Sequence, residues 1–309
     1  MREEIKHKAK GLPLQIGLAL LLFWIFKNAP LLQNSVKAAL SVCFHSLIPS
    51  LFPFFILSDL LSQTKEGEKL LSFLSRPVAF LLRTDRKSAG AYISGLLLGF
   101  PMGVKQLAEG YADGIIEKSE AERLLLISNN TGPAFVIGCL GGLLGSLRSG
   151  VLIYVAQLFV SLFFGFLLRP RVKKPHSLPL QPKHTASPPS SFSLVESIPR
   201  AALHMLSVCA YVLFFSAFSS ILFPIFVHPF IKALLLSVFE IGTASAFITS
   251  SLCKLRIPFC AFAVCFSGIS VYCQGKEIWK KRGLSAPKYL LFKLMQGALA
   301  FLLLLPFTN

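Results

Sequence analysis

The chain has 309 residues, of which 54% are hydrophobic and only 15% are charged, and its mean hydropathy is +0.66. A soluble domain of this length could not hide that much apolar surface, because the buried fraction of a folded chain grows only slowly with size. The formal charge of +17 comes from Lys and Arg residues that lie between apolar runs, and no nucleic-acid-binding motif accompanies them. The composition predicts an all-α polytopic membrane protein that is embedded in a lipid bilayer and binds no nucleic acid.

The first apolar run, over residues 12–26, follows four basic residues and therefore resembles a signal peptide. No pair of small residues marks a cleavage site after it, and the sequence Lys-Asn-Ala-Pro at 27–30 is a poor substitute. We therefore predict that residues 1–35 contain an uncleaved N-terminal transmembrane helix.

Nine apolar segments follow one another along the chain, over 12–32, 38–61, 89–104, 123–145, 150–168, 200–224, 230–250, 256–274 and 287–306. The third is shorter than the roughly 20 residues that a spanning helix needs, and it is interrupted by Gly99, Pro101 and Gly103. The fourth begins with polar residues that are followed by Gly132 and Pro133. The two segments therefore predict a hairpin or discontinuous helices, with a polar amphipathic helix over 105–122 between them.

Residues 169–199 are rich in proline, serine and basic residues. Such a composition cannot bury enough apolar area to fold. We predict a flexible basic cytoplasmic linker that divides the chain into two related halves, 36–168 and 200–309.

The second half repeats the interruptions of the first. Gly242, two residues after Glu240, interrupts the seventh apolar segment, and Gly268, next to Ser267, interrupts the eighth. Interruptions at matching places in two halves are a sequence signal for the binding site of a transporter.

Four strongly basic segments test the topology: the N-terminus, 62–88, 169–199 and 275–288. If all nine apolar segments crossed the membrane, the linker would lie outside, against the positive-inside rule. All four basic segments lie inside if segments three and four cross once together and segments seven and eight cross once together. This scheme gives seven net crossings and predicts two inverted repeats with discontinuous or re-entrant helices.

Several motifs resemble those of the YlbJ-like family of sporulation integral membrane proteins. They are S-L-I-P-S-L-F-P-F-F from Ser46, G-F-P-M-G-V-K from Gly99, E-A-E-R-L from Glu120, N-N-T-G-P-A-F from Asn129 and K-Y-L-L-F-K-L-M-Q-G from Lys288. The resemblance covers about residues 36 to 305. It departs from the family after Glu240, where Ile-Gly-Thr-Ala-Ser replaces the expected small-residue or Asn-rich stretch.

The family carries nucleoside-recognition, or Gate, domains and is related to concentrative nucleoside transporters. The resemblance thus implies two Gate-like repeats, at 36–168 and 200–309. It also implies a protein of endospore-forming bacteria that acts in the inner membrane, specifically the outer forespore membrane derived from the mother cell. There it would export dipicolinate, a small pyridine dicarboxylate, toward the developing spore.

Three neutral polar residues, Asn129, Asn130 and Thr131, begin a run that is otherwise apolar to residue 145. An unpaired amide in hydrocarbon costs several kcal/mol, so these groups are expected to face protein or a water-filled cavity. An unwound segment here would present side-chain and backbone groups to a substrate. The alternative is a helix start capped by asparagine at the membrane surface.

Glu240 lies well inside an apolar run, and an intramembrane carboxylate predicts a functional group that binds a coupling proton or cation. The alternative is a structural hydrogen bond at a re-entrant tip. Lys105 follows the first break and is predicted to meet an anionic substrate, with a lysine that snorkels to the interface as the alternative. Ser267 and Gln274 complete the predicted substrate-binding residues.

The seven cysteines lie in or beside apolar runs without metal-ligand spacing, and the chain has no nucleotide-binding loop, zincin motif or nucleophile elbow. We expect no metal, no cofactor and no enzymatic activity. The leading hypothesis is a secondary transporter of a small organic anion, with homo-oligomers left open. A non-transporting scaffold that recruits sporulation partners through its basic linker is the main alternative, and an intramembrane enzyme ranks below both.

Overall fold

The computed structural model describes residues 15–17, 19, 22–171, 193–222, 228–252 and 254–308. Within these ranges the regular secondary structure is helical throughout. The basic N-terminal residues, Cys253 and residues 172–192 of the predicted linker lie outside the described residues.

The first half contains seven labelled helices: α1 (Ala29–Val42), α2 (Ile48–Gln63), α3 (Lys65–Leu82), α4 (Arg86–Leu97), α5 (Met102–Ala112), α6 (Lys118–Ser128) and α7 (Leu147–Leu167). A π-helical turn, Cys43–Leu47, joins α1 to α2. A second π-helical segment, Ala134–Leu140, follows α6 and runs on into the single turn Gly141–Leu143.

The second half contains six: α8 (Leu194–Leu222), α9 (Pro229–Phe239), α10 (Ile241–Ser251), α11 (Arg256–Phe266), α12 (Gly268–Lys281) and α13 (Tyr289–Leu304), followed by a 3-10 turn at Leu305–Phe307. α8 packs along α1 and α2, while α7, α11 and α13 form a second group of mutually packed helices. The short helices lie against these long ones.

Five stretches of helix are long and apolar enough to cross a membrane: Ala29–Leu60, Leu147–Leu167, Leu194–Ile221, Arg256–Lys281 and Tyr289–Phe307. At about 1.5 Å per residue, such helices reach across a hydrocarbon core of about 30 Å. Large apolar side chains such as Phe159 and Leu206 are exposed on them, as contact with lipid requires. The all-α polytopic membrane fold is confirmed, whereas seven crossings and an inverted relation of the halves remain predictions.

The third apolar segment is interrupted where the sequence predicts. α4 and α5 pack against each other and are joined by only four residues, so the chain reverses direction between them. We term Arg86–Ala112 hairpin 1. At its tip Gly99 has a left-handed backbone with φ +79°, and the Phe100–Pro101 peptide bond is cis. Each helix of the hairpin is roughly 17 Å long, which is too short to span the bilayer.

The prediction of a single polar helix over 105–122 is wrong. Residues 113–117 form a turn, so the polar stretch is divided between α5 in hairpin 1 and the following helix α6. The physical reason is that Gly114 adopts a left-handed backbone with φ +70° just after α5, and the N–H groups of Ile115 and Ile116 donate to the carbonyl oxygen of Gly110 at 2.8 and 2.9 Å. Ile116 is then buried against Gly110.

The second half is interrupted at the predicted places as well. α9 and α10 pack against each other around Glu240, and we term Pro229–Ser251 hairpin 2. Ser267, with φ +68°, separates α11 from α12. Two residues predicted as breaks, Gly103 and Gly242, instead lie in the first turn of the helix that follows each break.

Two predicted boundaries shift. α8 begins at Leu194, where the side-chain oxygen of Ser193 accepts a hydrogen bond from the backbone N–H of Glu196 at 3.3 Å, so the last residues of the predicted linker are helical. α12 continues to Lys281, so the first part of the predicted loop 275–288 is helical too. Apart from α3, which has no counterpart among the described residues of the second half, both halves show the same order of elements: a long helix, a hairpin, a broken helix and a final long helix.

Candidate functional site

The tip of each hairpin packs against the break in the helix that follows it. A Cβ atom on Gly99 would lie 2.7 Å from the backbone nitrogen of Gly132, so the two chains meet backbone to backbone. In the second half, a Cβ atom on Gly268 would lie 3.0 Å from the carbonyl oxygen of Phe239. Glycine at these positions therefore allows the tips to be seated in the breaks.

The breaks of the two halves also contact each other. The Thr131 hydroxyl donates to the carbonyl oxygen of Val264 at 3.1 Å. The amide nitrogen of Asn129 donates to the hydroxyl of Tyr289 at 2.8 Å and to the carbonyl oxygen of Val271 at 3.4 Å. The four interruptions therefore gather in one region at the centre of the molecule.

The predicted residues Asn129, Asn130 and Thr131 are fully buried in this region. The amide nitrogen of Asn130 donates to the carbonyl oxygen of Ile127 at 2.6 Å. Gln157 of α7 makes a reciprocal pair with Thr131, accepting from its backbone N–H at 3.2 Å and donating to its carbonyl oxygen at 2.8 Å. These side chains provide hydrogen-bond partners, from within the protein, for backbone N–H and carbonyl groups at the break in the helix.

Lys293 of α13 is a functional-site candidate that is not among the residues predicted from the sequence. It is fully buried, and its ammonium group donates to the carbonyl oxygen of Asn129 at 2.9 Å. Gln296 donates to the carbonyl oxygen of Leu126 at 3.1 Å. The two side chains thus cap the C-terminal end of α6, where the helix dipole favours a cation. A lysine inside the apolar run 287–306 is the signal, because the rule that selects Glu240 selects Lys293 too.

Glu240 lies at the tip of hairpin 2 and is 3% exposed. Its carboxylate accepts hydrogen bonds from the backbone N–H groups of Gly242 at 2.7 Å and Thr243 at 2.6 Å, and it therefore caps the N-terminus of α10. These bonds and the positive end of the helix dipole stabilise a buried negative charge. The structural hydrogen bond at a re-entrant tip, which is the alternative predicted role of Glu240, is thus present, and the carboxylate also borders a cavity.

That cavity, which we term the central cavity, has a volume of about 20 Å³. It is lined by residues of both hairpin tips, Phe100 from hairpin 1 and Glu240 to Gly242 from hairpin 2. Ser270 and Gln274 of α12 complete its polar lining. Its volume is enough for about one water molecule, so the site between the two tips is closed to larger molecules in this conformation.

A larger cavity of about 360 Å³, which we term the vestibule, adjoins it. Its charged and polar lining comes from hairpin 1, α8 and the end of α12: Lys105, Glu109, His204, Ser207, Tyr211, Gln274, Glu277, Lys281 and Arg282. Gln274 lines both cavities. Lys281 and Arg282 belong to the basic segment 275–288, so the vestibule faces the side that the positive-inside rule predicts to be cytoplasmic.

The structure thus places Lys105 in the lining of the vestibule, Glu240 in the lining of the central cavity and Gln274 in the lining of both. It does not bring the predicted residues Asn129 to Thr131 or Ser267 to the lining of either cavity. Ser267 forms the break between α11 and α12, and its hydroxyl donates to the carbonyl oxygen of Val264 at 3.0 Å. In the part of the chain that the structure describes, no group of three or more His, Cys, Asp or Glu side chains is placed to hold a metal ion.

Span-length apolar helices around paired short helices that meet at the centre define a multi-pass membrane protein. The chain is similar to the "Sporulation integral membrane protein YlbJ" of Bacillus subtilis (strain 168). The two are 25% identical over 326 aligned positions, which cover 90% of this chain and 79% of that protein. This similarity confirms the resemblance to a YlbJ-like family. No family model matches the chain, and no solved structure matches it.

Proposed function

We propose that this chain is a secondary transporter that moves a small organic anion across the bacterial inner membrane. The observation that carries the proposal is that the tips of both hairpins line the central cavity, which shares Gln274 with the vestibule. In a bilayer, interrupted helices are tolerated only where they are buried in protein or line a cavity. Short hairpins and broken helices that meet in this way are typical of transporter binding sites.

The vestibule is lined by three basic side chains and by two carboxylates, Glu109 and Glu277, and this excess of positive charge favours an anion. Lys105 enters it from hairpin 1, and Arg282 enters it from the end of α12. Lys281 forms an ion pair with Glu277 at 2.7 Å, and both side chains are largely exposed. The amide of Gln274, at the boundary between the cavities, can donate a hydrogen bond to a carboxylate that passes from one to the other.

In its specific form, the proposal names dipicolinate as the substrate and its export toward the developing spore as the physiological process. The printed name of the Bacillus subtilis relative, which refers to sporulation, supports this setting. The two cations that enter the vestibule from different helices suit a substrate with two carboxylates. The Gate-like architecture of two inverted repeats belongs to the same proposal and is supported by the matching order of elements in the two halves.

We further propose that an ion gradient drives transport, since the sequence contains no nucleotide-binding loop. Glu240 is the candidate coupling group, because its carboxylate lies both at the tip of hairpin 2 and in the central cavity. A proton or cation bound there would change the charge at the N-terminus of α10. That change would alter how hairpin 2 is held against α12.

The test is export of dipicolinate from cells that make both the compound and the full chain. Wild-type protein should release it into the medium, and Lys105→Gln and Gln274→Ala should each lower the rate by at least about tenfold, since a charge-assisted hydrogen bond contributes about 1.5–3 kcal/mol. Lys118→Gln, an exposed lysine outside both cavities, is the matched control. Absence of export with verified membrane insertion would contradict the proposal. If sporulation then still needed the linker but neither Lys105 nor Gln274, the scaffold alternative would be favoured.

A further inference from the structure

A third cavity of about 250 Å³ lies at the side of the molecule, between α2, α3 and hairpin 1. We term it the lateral cavity. Its lining is formed by Phe54, Leu57, Ser58, Gly67, Leu70, Leu71, Leu97, Leu98 and Pro133, and only apolar atoms face it. An apolar cavity of this kind does not hold ordered water, because water finds no polar partner there. Its chemistry therefore suits a hydrocarbon chain.

The helix that covers the lateral cavity, α3, has an exposed apolar face. Leu70, Phe73 and Phe80 are 48%, 69% and 87% exposed. Their spacing of three and seven residues places them on one side of the helix. Leu70 belongs both to this face and to the lining of the cavity, so the apolar surface is continuous from the outside of α3 into the cavity.

A basic stripe runs beside the apolar face. Lys69 and Arg76 are both exposed, and their spacing of seven residues places them on the same side of α3, about a third of a turn from Leu70. A helix with an exposed apolar face next to basic residues lies in the membrane interface and attracts anionic lipid head groups. The helix α3 therefore presents Lys69 and Arg76, which can bind a lipid head group, beside the lateral cavity, which can hold the acyl chain of the same lipid.

We propose that the lateral cavity holds one acyl chain of an anionic phospholipid, with the head group bound by Lys69 and Arg76. The bilayer supplies this ligand, because α2 belongs to a helix long and apolar enough to cross the membrane and the exposed face of α3 is apolar. The acyl chain of the lipid would contact Leu98, beside the tip of hairpin 1, and Pro133, in the broken helix against which that tip packs. The bound lipid would thus support the hairpin from outside the central cavity. This inference does not depend on the proposed transport activity.

The experiment is native mass spectrometry of the full chain after extraction from vesicles of phosphatidylglycerol and phosphatidylethanolamine. Wild-type protein should retain one phosphatidylglycerol. Lys69→Gln combined with Arg76→Gln should lower that retention at least fivefold, and Leu57→Trp, which fills the cavity from a half-exposed position, should abolish it. Lys118→Gln and Phe159→Trp, at exposed positions outside the cavity, should retain lipid as the wild type does.

Equal retention of phosphatidylethanolamine, or unchanged retention in the double charge variant, would overturn the head-group site. Unchanged retention in Leu57→Trp would overturn the cavity site. A second measurement requires no substitution: phosphatidylglycerol with a photoreactive acyl chain should crosslink wild-type protein at peptides that contain Leu57 or Leu98. Crosslinks confined to the lipid-facing side of α7 would overturn the proposal.

Discussion

Replacing Gly99 by alanine tests how tightly hairpin 1 is seated against the broken helix. The added methyl group would lie 2.7 Å from the nitrogen and 2.8 Å from the Cα of Gly132, and these are backbone atoms that cannot rotate away. The left-handed backbone of Gly99, with φ +79°, adds strain for any L-residue. The strain costs about 1–2 kcal/mol and the overpacking about 1–3 kcal/mol, so the free energy of unfolding should fall by about 2–5 kcal/mol.

Two other glycines separate these two contributions. Gly145 has φ +65° with open space around it, so its alanine variant should show the backbone strain alone, a loss of about 1–2 kcal/mol. Gly90 lies within α4 with open space and ordinary helical backbone, so alanine there should be neutral or stabilising by up to about 1 kcal/mol. The assay is thermal unfolding of the three purified variants in one detergent. If Gly99→Ala is no more destabilising than Gly145→Ala, the close contact between Gly99 and Gly132 is refuted.

Three further predictions concern the network around the breaks and the topology. Gln157→Leu leaves the backbone N–H and carbonyl of Thr131 without partners and should lower the free energy of unfolding by about 2–4 kcal/mol. The control Val155→Leu, on the exposed side of the same helix, should leave the free energy of unfolding unchanged. Equal stability of the two variants would contradict the hydrogen-bond network around Thr131. Glu240→Ala removes the cap of α10 and should lower the free energy of unfolding by about 1–2 kcal/mol. Glu240→Gln keeps a hydrogen-bond acceptor, so this variant should remain folded and exchange substrate without a gradient, but it should lose gradient-driven transport. Undiminished gradient-driven transport by Glu240→Gln would show that Glu240 is not the coupling group. Leu180→Cys, in the predicted linker, should react with a membrane-impermeant thiol reagent only after cells are permeabilised, and labelling in intact cells beyond that of the unmodified chain would overturn the predicted topology.

The positions of the helix interruptions could be predicted from the sequence because their causes are local. Gly99 has a left-handed backbone and Pro101 has no backbone N–H, and the helix α4 ends just before them; Gly268 adopts a left-handed backbone at the start of α12. The length of the apolar segments then shows which helices are too short to cross a membrane. The prediction of one helix over 105–122 missed a local signal of the same kind, Gly114, whose left-handed backbone lies in the turn that follows α5.

The partners of the buried polar groups could not be predicted, because they are distant in sequence. Asn129 contacts Tyr289, 160 residues away, and Lys293 reaches Asn129 from 164 residues away. A sequence pattern can mark these residues as unusual in an apolar run, but it cannot tell a group that binds substrate from one that caps a helix. Glu240 illustrates this, since one carboxylate both caps α10 and borders the central cavity.

The central claim, that the closed site between the two hairpin tips opens to move an organic anion, is tested most directly with purified protein in liposomes. Radiolabelled dipicolinate is supplied outside, and the unlabelled compound is loaded inside. The account predicts accumulation of label well above that of protein-free liposomes, strongly reduced uptake for Gln274→Ala, and wild-type uptake for the Lys118→Gln control. No accumulation by folded, membrane-inserted wild-type protein, with dipicolinate or other small dicarboxylates and with a proton or sodium gradient in either direction, would contradict it.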